Sequence, residues 1–254
     1  MILKPPKGAL LNRGHPLARG LVGCWLMNEG GGNIVNDLSG NGNNLALNSC
    51  LWGAGKFGST VEGDRANSWI ENTGIKLPQV GTIIIRARID TLTLGDTLLQ
   101  ETASGYIDMD IETGYDLRCR FHDGAGFKTE YFDVVAGVTY DFGFSWNASQ
   151  IKFYWDGVNT ATEAFAGLNT SAIGLALLAD RVQGSKMDCG IEYVYLFNCA
   201  LSAPELALLR REPFAMFEQE NLPLFVAATS GGGAPPTGNA GIMTPNTGFW
   251  GATY

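Results

Sequence analysis

The chain has 254 residues, of which 45% are hydrophobic and 17% are charged, and its formal net charge is -8 at pH 7. This length and hydrophobic content are enough to bury a full β-sandwich core, so we expect one globular domain. The negative charge argues against a nucleic-acid partner, because binding to a phosphate backbone depends on clustered Lys and Arg. No apolar window approaches the ~20 residues that cross a bilayer, and no signal-peptide pattern opens the chain, so we expect neither a membrane protein nor an exported one.

The first elements in chain order are an arm, a strand and a long turn. Residues 1–19 contain three prolines and predict an extended N-terminal arm. Apolar residues from Leu21 to Trp25 predict a strand at the edge of a sandwich. The stretch that follows is rich in Gly and Asn and includes Asp37 and Asn43. It predicts an ordered loop, because Gly adopts positive φ and Asp or Asn side chains bond to nearby backbone.

Strand signals dominate the middle of the chain and a helix follows them. Short runs rich in Val, Ile, Phe, Tyr and Trp alternate with turn residues up to residue 199, which predicts about a dozen strands. Residues 106–111 and 115–121 each alternate apolar and polar side chains, as half-buried antiparallel strands do. Ser202 followed by Glu205 predicts the start of a capped helix, and Pro213 predicts its end.

The last segment, residues 213–254, predicts an extended C-terminal arm. It combines apolar side chains with a Gly- and Pro-rich spacer at 231–236. Disordered tails are poor in aromatic residues, whereas this one ends with Phe249, Trp250 and Tyr254. Aromatic side chains of this kind suit burial at an interface, so these three are predicted assembly residues of a homo-oligomer or larger particle. The alternative interpretation is a floppy tail.

Five blocks of the sequence resemble, in family order, the laminin-G-like, concanavalin-A-type jelly-roll proteins. The blocks are residues 20–44, 55–70, 82–89, 140–157 with its Tyr-Trp-Asp-Gly turn, and 190–202 with its closing Ala-Leu-Ser. The resemblance implies an all-β fold, an antiparallel β-sandwich with one short C-terminal helix. It also implies three regions: an N-terminal arm at 1–19, the jelly roll at 20–212 and a C-terminal arm at 213–254.

The same resemblance implies a structural calcium ion. Members of the family often hold calcium beside the N-terminal turn and the last strand, and the matching side chains here are Asp37, Asn43 and Glu192. Their oxygen atoms are the ligands that hard cations prefer. Glu192 stands where the family usually has Asp. Alternatively, Asp37 and Asn43 close an Asx-type turn without a metal ion.

An acidic strand is the sharpest catalytic candidate. Alternation places Asp108, Asp110 and Glu112 on one face, and the strand resembles the Glu-x-Asp-x-Glu strand of lichenase and laminarinase glucanases. In those enzymes the first Glu is the nucleophile and the last is the acid/base. Asp108 at the nucleophile position withdraws the carboxylate, and a displacement of ~1 Å can cost on the order of 100-fold in rate. We therefore predict no catalytic residues and no enzyme activity.

Sugar binding is predicted at aromatic residues of the strand region. Tyr106, Tyr115 and Tyr131 are the predicted carbohydrate-binding residues, because aromatic faces stack on sugars beside polar groups that bind hydroxyls. Trp146 and Trp155 flank a hairpin and are predicted to pack in the core. The five cysteines form an odd set without a Cys-x-x-Cys pair, which predicts free thiols made in a reducing cytoplasm.

Residues 15–23, read as His-Pro-Leu-Ala-Arg-Gly-Leu-Val-Gly, resemble the entry segment of laminin-G-like proteins from tailed bacteriophages. The resemblance implies a virion structural protein made in the host cytoplasm, either a capsid decoration protein or a tail or fibre component. Its partners would be other capsid or tail subunits. The alternatives are a carbohydrate-binding adhesin module that recognises a surface glycan and, less favoured, a glucanase-like glycoside hydrolase.

Overall fold

A computed structural model of the protein describes residues 2–101, 107–168, 173–180 and 182–218. Within these residues the regular structure is almost entirely β, apart from a short 3-10 helix at Pro16–Ala18 and one α-helix, α1, at Ala203–Arg211. The strands are β1 (Leu21–Trp25), β2 (Ile34–Val35), β3 (Leu45–Asn48), β4 (Leu51–Gly55), β5 (Gly58–Gly63), β6 (Trp69–Lys76), β7 (Gly81–Ile89), β8 (Thr97–Glu101), β9 (Ile107–Ile111), β10 (Leu117–His122), β11 (Phe127–Phe132), β12 (Thr139–Trp146), β13 (Gln150–Trp155), β14 (Val158–Ala164), β15 (Ile173–Leu177) and β16 (Cys189–Phe197).

The strands form two sheets. The first sheet has the order β14-β13-β12-β7-β16-β5-β4, with β1 paired to β16, and the second has the order β11-β10-β9-β8-β15-β6-β3-β2. The pairings within both sheets are antiparallel. This arrangement confirms the predicted all-β antiparallel sandwich with one short helix.

The main core lies between the two sheets and is rich in aromatic rings. The Phe121 ring from the second sheet lies 4.6 Å from Phe144 and 5.1 Å from Trp146 in the first sheet, measured between centroids. Trp146 is fully buried, and its Nε1 donates a hydrogen bond to the Pro78 carbonyl. Trp155 is partly buried against the same core. Both tryptophans therefore pack as predicted.

A second apolar layer covers the outer face of the first sheet. All nine residues of β16 are buried, because Val194 and Leu196 face the main core while Tyr193 and Tyr195 belong to this second layer. Helix α1 contributes Leu206 and Leu209 to the layer. The Glu205 carboxylate accepts hydrogen bonds from the Ser202 backbone and hydroxyl, as the predicted capped start requires. No helix in the described ranges is long and apolar enough to cross a membrane.

The terminal segments complete this second layer, so the compact unit is larger than residues 20–212. It spans residues 1–219. Its buried side chains include Leu17 from the predicted N-terminal arm and Phe214, Met216 and Phe217 from the start of the predicted C-terminal arm. Backbone hydrogen bonds join Asn12 N to Met216 O and Glu218 N to Leu10 O. These terminal segments pack in the second layer because the outer face of β16 is apolar and needs cover.

The described cysteines are all free, in line with the sequence-based prediction. Burial raises the pKa of the Cys24, Cys119 and Cys189 thiols, and it raises the pKa of Cys50 to about 12. These thiols therefore stay protonated near neutral pH and behave as small apolar groups.

Candidate ligand-binding face

The outer face of the second sheet carries a charged ladder, which we define as Asp108, Asp110, Glu112, Arg118 and Arg120. The apolar residues of β9 and β10 point into the main core, so the polar residues between them point outward. The register of the hairpin places Asp110 opposite Arg118 and Asp108 opposite Arg120. Opposite charges at directly paired positions stabilise an antiparallel pair.

Bidentate ion pairs join the arginines of β10 to the aspartates of β9. Arg120 donates from Nε and Nη2 to the two oxygens of Asp108, at 2.8 and 2.6 Å. Arg118 donates in the same way to Asp110, at 3.0 and 2.7 Å, and its Nη1 also pairs with Glu112. Each of the three carboxylates in the acidic strand thus has a guanidinium partner.

Burial makes the Asp108 pair the most constrained part of the ladder. The Asp108 side chain is only 3% exposed. Burial raises the pKa of this carboxyl, and the hydrogen bonds from Arg120 oppose that shift. Those hydrogen bonds also raise the pKa of Arg120. A carboxylate buried to this degree needs its cation in place.

Beside the ladder lies an aromatic strip, which we define as Phe127, Thr129 and Tyr131 of β11. Alternation places these three residues on the outer face, and β11 is the edge strand of the sheet. Phe127 is 47% exposed and Tyr131 is 52% exposed. They are four positions apart in the chain, which corresponds to about 13 Å along the strand.

The strip and the ladder are in contact. The Arg120 guanidinium lies 4.8 Å from the Phe127 ring centroid, and the His122 ring meets the same ring edge-on, also at 4.8 Å. Tyr131 is paired directly with Arg118 across the β10–β11 hairpin. The face therefore places exposed aromatic surfaces next to groups that donate and accept hydrogen bonds. We call the ladder and the strip together the ligand face.

Two of the three predicted carbohydrate-binding residues lie at this face. Tyr131 belongs to the strip, and Tyr115 is in the turn between β9 and β10, where it is 58% exposed and has a positive φ of 68°. The β9–β10 turn and the Arg118–Tyr131 pair lie at the same end of β10, since Tyr115 precedes Arg118 by three residues. Tyr106 lies outside the described residues.

Sequence reasoning missed Phe127 and the two arginines. The Phe-x-Thr-x-Tyr alternation of β11 is the signal that could have identified Phe127 as a neighbour of Tyr131 on one face. The Arg-x-Arg alternation in β10, complementary to Asp-x-Asp in β9, could have identified the ladder.

The predicted calcium ligands fall into two separate hydrogen-bonded groups. Asp37 Oδ1 accepts from the backbone of Cys24 and Ser39, at 3.0 and 2.9 Å, and Oδ2 accepts from the Asn43 backbone at 3.0 Å. Asp37 thus closes the loop by Asx-type bonds, and Asn43 takes part in the same closure. Among the described residues, no three His, Cys, Asp or Glu side chains cluster in a way that could hold a metal ion.

Glu192 is engaged elsewhere. Its Oε2 accepts from Arg86 Nε at 3.2 Å, and its Oε1 accepts from the Lys56 backbone at 3.0 Å. In the described part of the chain it shares no hydrogen-bond partner with Asp37 or Asn43. The predicted calcium site remains a prediction.

No protein-family model and no curated protein sequence matches this chain. Solved structures with the same fold do match. The binding domain of Paraclostridial Mosquitocidal Protein 1 has a TM-score of 0.63 and 17% identity, covering 78% of this chain and 53% of that chain. Domain 4 of AbnA, a GH43 extracellular arabinanase from Geobacillus stearothermophilus in complex with arabinotriose, has a TM-score of 0.64 and 15% identity, covering 75% and 98%.

A Trypanosoma rangeli sialidase in complex with sialic acid also matches, with a TM-score of 0.60 and 13% identity over 79% of this chain and 34% of that chain. The chain therefore spans about half of the mosquitocidal binding domain and one third of the sialidase, but nearly the whole arabinanase domain. At these identities the likeness establishes the β-sandwich fold.

Proposed function

We propose that this protein is a non-catalytic carbohydrate-binding β-sandwich module that uses the ligand face. The observation that carries the proposal is the exposed aromatic strip beside the closed charged ladder. Phe127 and Tyr131 offer flat apolar surfaces for the C–H faces of sugar rings. The two arginines and the more exposed carboxylates of Asp110 and Glu112 offer partners for hydroxyls. Because the ion pairs already hold the ladder side chains in place, little further ordering is needed on binding.

The structural comparisons support the ligand class. The arabinanase domain that this chain spans almost completely was solved with arabinotriose, and the sialidase was solved with sialic acid. Both are proteins with bound saccharides that contain this sandwich. The proposal for this chain rests on the ligand face, and the comparisons make a saccharide the first class of ligand to test.

Replacing either aromatic of the strip should weaken glycan binding. We expect Tyr131→Ala and Phe127→Ala each to cost about 1–2 kcal/mol, or about 5- to 30-fold in Kd, because each removes a large contact surface. A glycan array probed with the full chain identifies the ligand, and calorimetry measures the variants. Leu51→Ala, at an exposed residue on β4 of the other sheet, is the matched control. An equal loss of glycan affinity in Leu51→Ala, or no loss of affinity in either strip variant, would contradict the proposal.

We further propose that the ladder performs no glycoside hydrolysis. A retaining mechanism needs two carboxyl groups about 5–5.5 Å apart and directed at the sugar, whereas Asp108 and Glu112 are directed at Arg120 and Arg118. We expect no release of reducing sugar from β-glucans by the wild-type chain, and no change in Glu112→Gln. Turnover that Glu112→Gln abolishes would establish an enzyme instead.

A finer proposal places the module on a bacteriophage virion, as a capsid decoration protein or a tail or fibre component. Its support is the resemblance of residues 15–23 to the entry segment of phage laminin-G-like proteins. In the fold this segment has a packing role: Leu17 is fully buried, and Gly20 adopts a φ of +73° where a Cβ would lie 2.6 Å from Asn198 Oδ1. Immunogold labelling of purified particles tests the proposal, and unlabelled particles would contradict it.

A further inference from the structure

A cleft on the first sheet, on the opposite side of the molecule's core from the ligand face, has a different chemical character. Its volume is about 640 Å³, and it lies between the β4–β5 turn, the β13–β14 turn and helix α1, with part of its wall from β7 and β12. This volume is within the range of about 300–1,000 Å³ that is typical of small-molecule sites. Nothing in the function proposed above uses it.

Cationic side chains outnumber acidic ones along the cleft. Lys56, Arg86, Arg210 and Arg211 line it, against Asp141 and Asp156. The chain has only 17 Lys and Arg and a net charge of -8, so four cations in one cleft is a marked local concentration. With four cations against two carboxylates, the lining residues carry a surplus of positive charge, and such a surplus raises the local concentration of anionic ligands.

Arg86 lines this cleft with a side chain that is mostly buried. Its side chain is 10% exposed, Nε donates to Glu192 and Nη1 donates to Asp141 at 2.8 Å. Within the described residues, Nη2 has no hydrogen-bond acceptor. Because Arg86 lines the cleft, its Nη2 can donate a charge-assisted hydrogen bond to one oxygen of a carboxylate or phosphate group there.

Arg86 and a second cation, Lys56, both lie near the aromatic ring of Phe57. The Arg86 guanidinium carbon and the Lys56 ammonium each lie 5.2 Å from the centroid of the Phe57 ring. Lys56 is exposed, and no described carboxylate lies within ion-pair distance of its ammonium. By contrast, Arg210 is already paired with Asp156 at 3.0 Å, and Arg211 is paired with Glu212 at 3.0 Å.

We infer that this cleft binds a small molecule bearing an oxyanion, with the anionic group held between Arg86 Nη2 and the Lys56 ammonium. The shared chemistry is that of a carboxylate or phosphate group. The cleft is larger than a bare ion requires, and Val158 and Ala207 line it alongside the charged groups. A ligand about the size of a sugar acid or sugar phosphate fits this combination of charge and apolar wall.

Calorimetry on the full chain at low ionic strength tests this inference with three probes: inorganic phosphate, D-glucuronate and the neutral sugar D-glucose. We expect phosphate or glucuronate to bind, glucose not to bind at the cleft, and binding to weaken as salt is raised. Tighter binding of glucuronate indicates a sugar acid as the ligand, and tighter binding of phosphate indicates a phosphorylated one.

Variants of the two cations assign the binding to the cleft. Lys56→Glu changes an exposed residue and should weaken binding by about tenfold or more, while Lys76→Glu, at the exposed end of β6 on the other sheet, should leave it unchanged. Arg86→Ala should abolish binding, but it also breaks buried ion pairs, so the Lys56 variant decides. Binding of neither anion, or equal affinity in Lys56→Glu, would overturn the inference. Tyr131→Ala should not affect this site, so its result is separate from the glycan proposal.

Discussion

A chain shortened to residues 20–212 is expected to lose its cooperative thermal transition. The shortening removes four buried apolar side chains of the second layer: Leu17, Phe214, Met216 and Phe217. It also removes the Pro213 carbonyl that accepts a hydrogen bond from the buried Tyr195 hydroxyl at 2.8 Å. At about 1.5–3 kcal/mol for each side chain, the loss is roughly 6–12 kcal/mol, which is comparable with the whole stability of a typical domain.

The matched comparison is a chain shortened to residues 2–218, which keeps every described element. We expect its melting temperature to lie close to that of the full chain, measured by calorimetry or circular dichroism. Residues 20–212 should instead be insoluble or melt broadly, with the outer faces of Tyr193 and Tyr195 uncovered. A sharp transition for residues 20–212 at the temperature of the longer chain would show that the terminal segments contribute little.

The second large effect is expected from Arg120→Ala in the charged ladder. The substitution leaves the Asp108 carboxylate, 3% exposed, without the guanidinium that binds both of its oxygens. Removing one partner of a buried ion pair typically costs about 3–5 kcal/mol, because the remaining charge is poorly solvated. Urea unfolding of the variant and the wild type measures the difference in the free energy of unfolding.

Two controls separate this effect from simple truncation of an arginine. Arg211→Ala removes an exposed arginine whose side chain is 73% accessible, and we expect a change within about 0.5 kcal/mol. Adding Asp108→Asn to Arg120→Ala removes the stranded charge and should restore part of the lost stability. If Arg120→Ala and Arg211→Ala lower the free energy of unfolding by the same amount, the Asp108–Arg120 ion pair does not stabilise the fold in this way.

The elements with local signals could be predicted from sequence. Strand alternation over 115–121 matches β10, and the Ser202–Glu205 pair matches the start of α1. The second core layer could not be predicted in the same way, because the proline-rich residues 1–19 and residues 213–218 have no strand or helix periodicity. The one available clue was β16, where apolar and aromatic residues occupy both faces instead of one.

The candidate sites were predictable only where their residues are close in sequence. Alternation put Asp108 and Asp110 on one face, but their pairing with Arg118 and Arg120 depends on the register set by the β9–β10 turn. The cleft could not be predicted from the sequence, because Arg86 pairs with Asp141 and Glu192, which are 55 and 106 residues away in the chain. Such contacts follow from strand order, which a single sequence does not specify.

The most direct test of the carbohydrate-binding proposal is an NMR titration of the isotope-labelled full chain with the oligosaccharide that binds best on the array. We expect the largest amide shift changes on residues 127–131, with smaller ones at Arg118, Arg120 and the turn that contains Tyr115. These changes should disappear in Tyr131→Ala and persist in Leu51→Ala. Shift changes confined to the first sheet, or no binding by any glycan on the array, would contradict it.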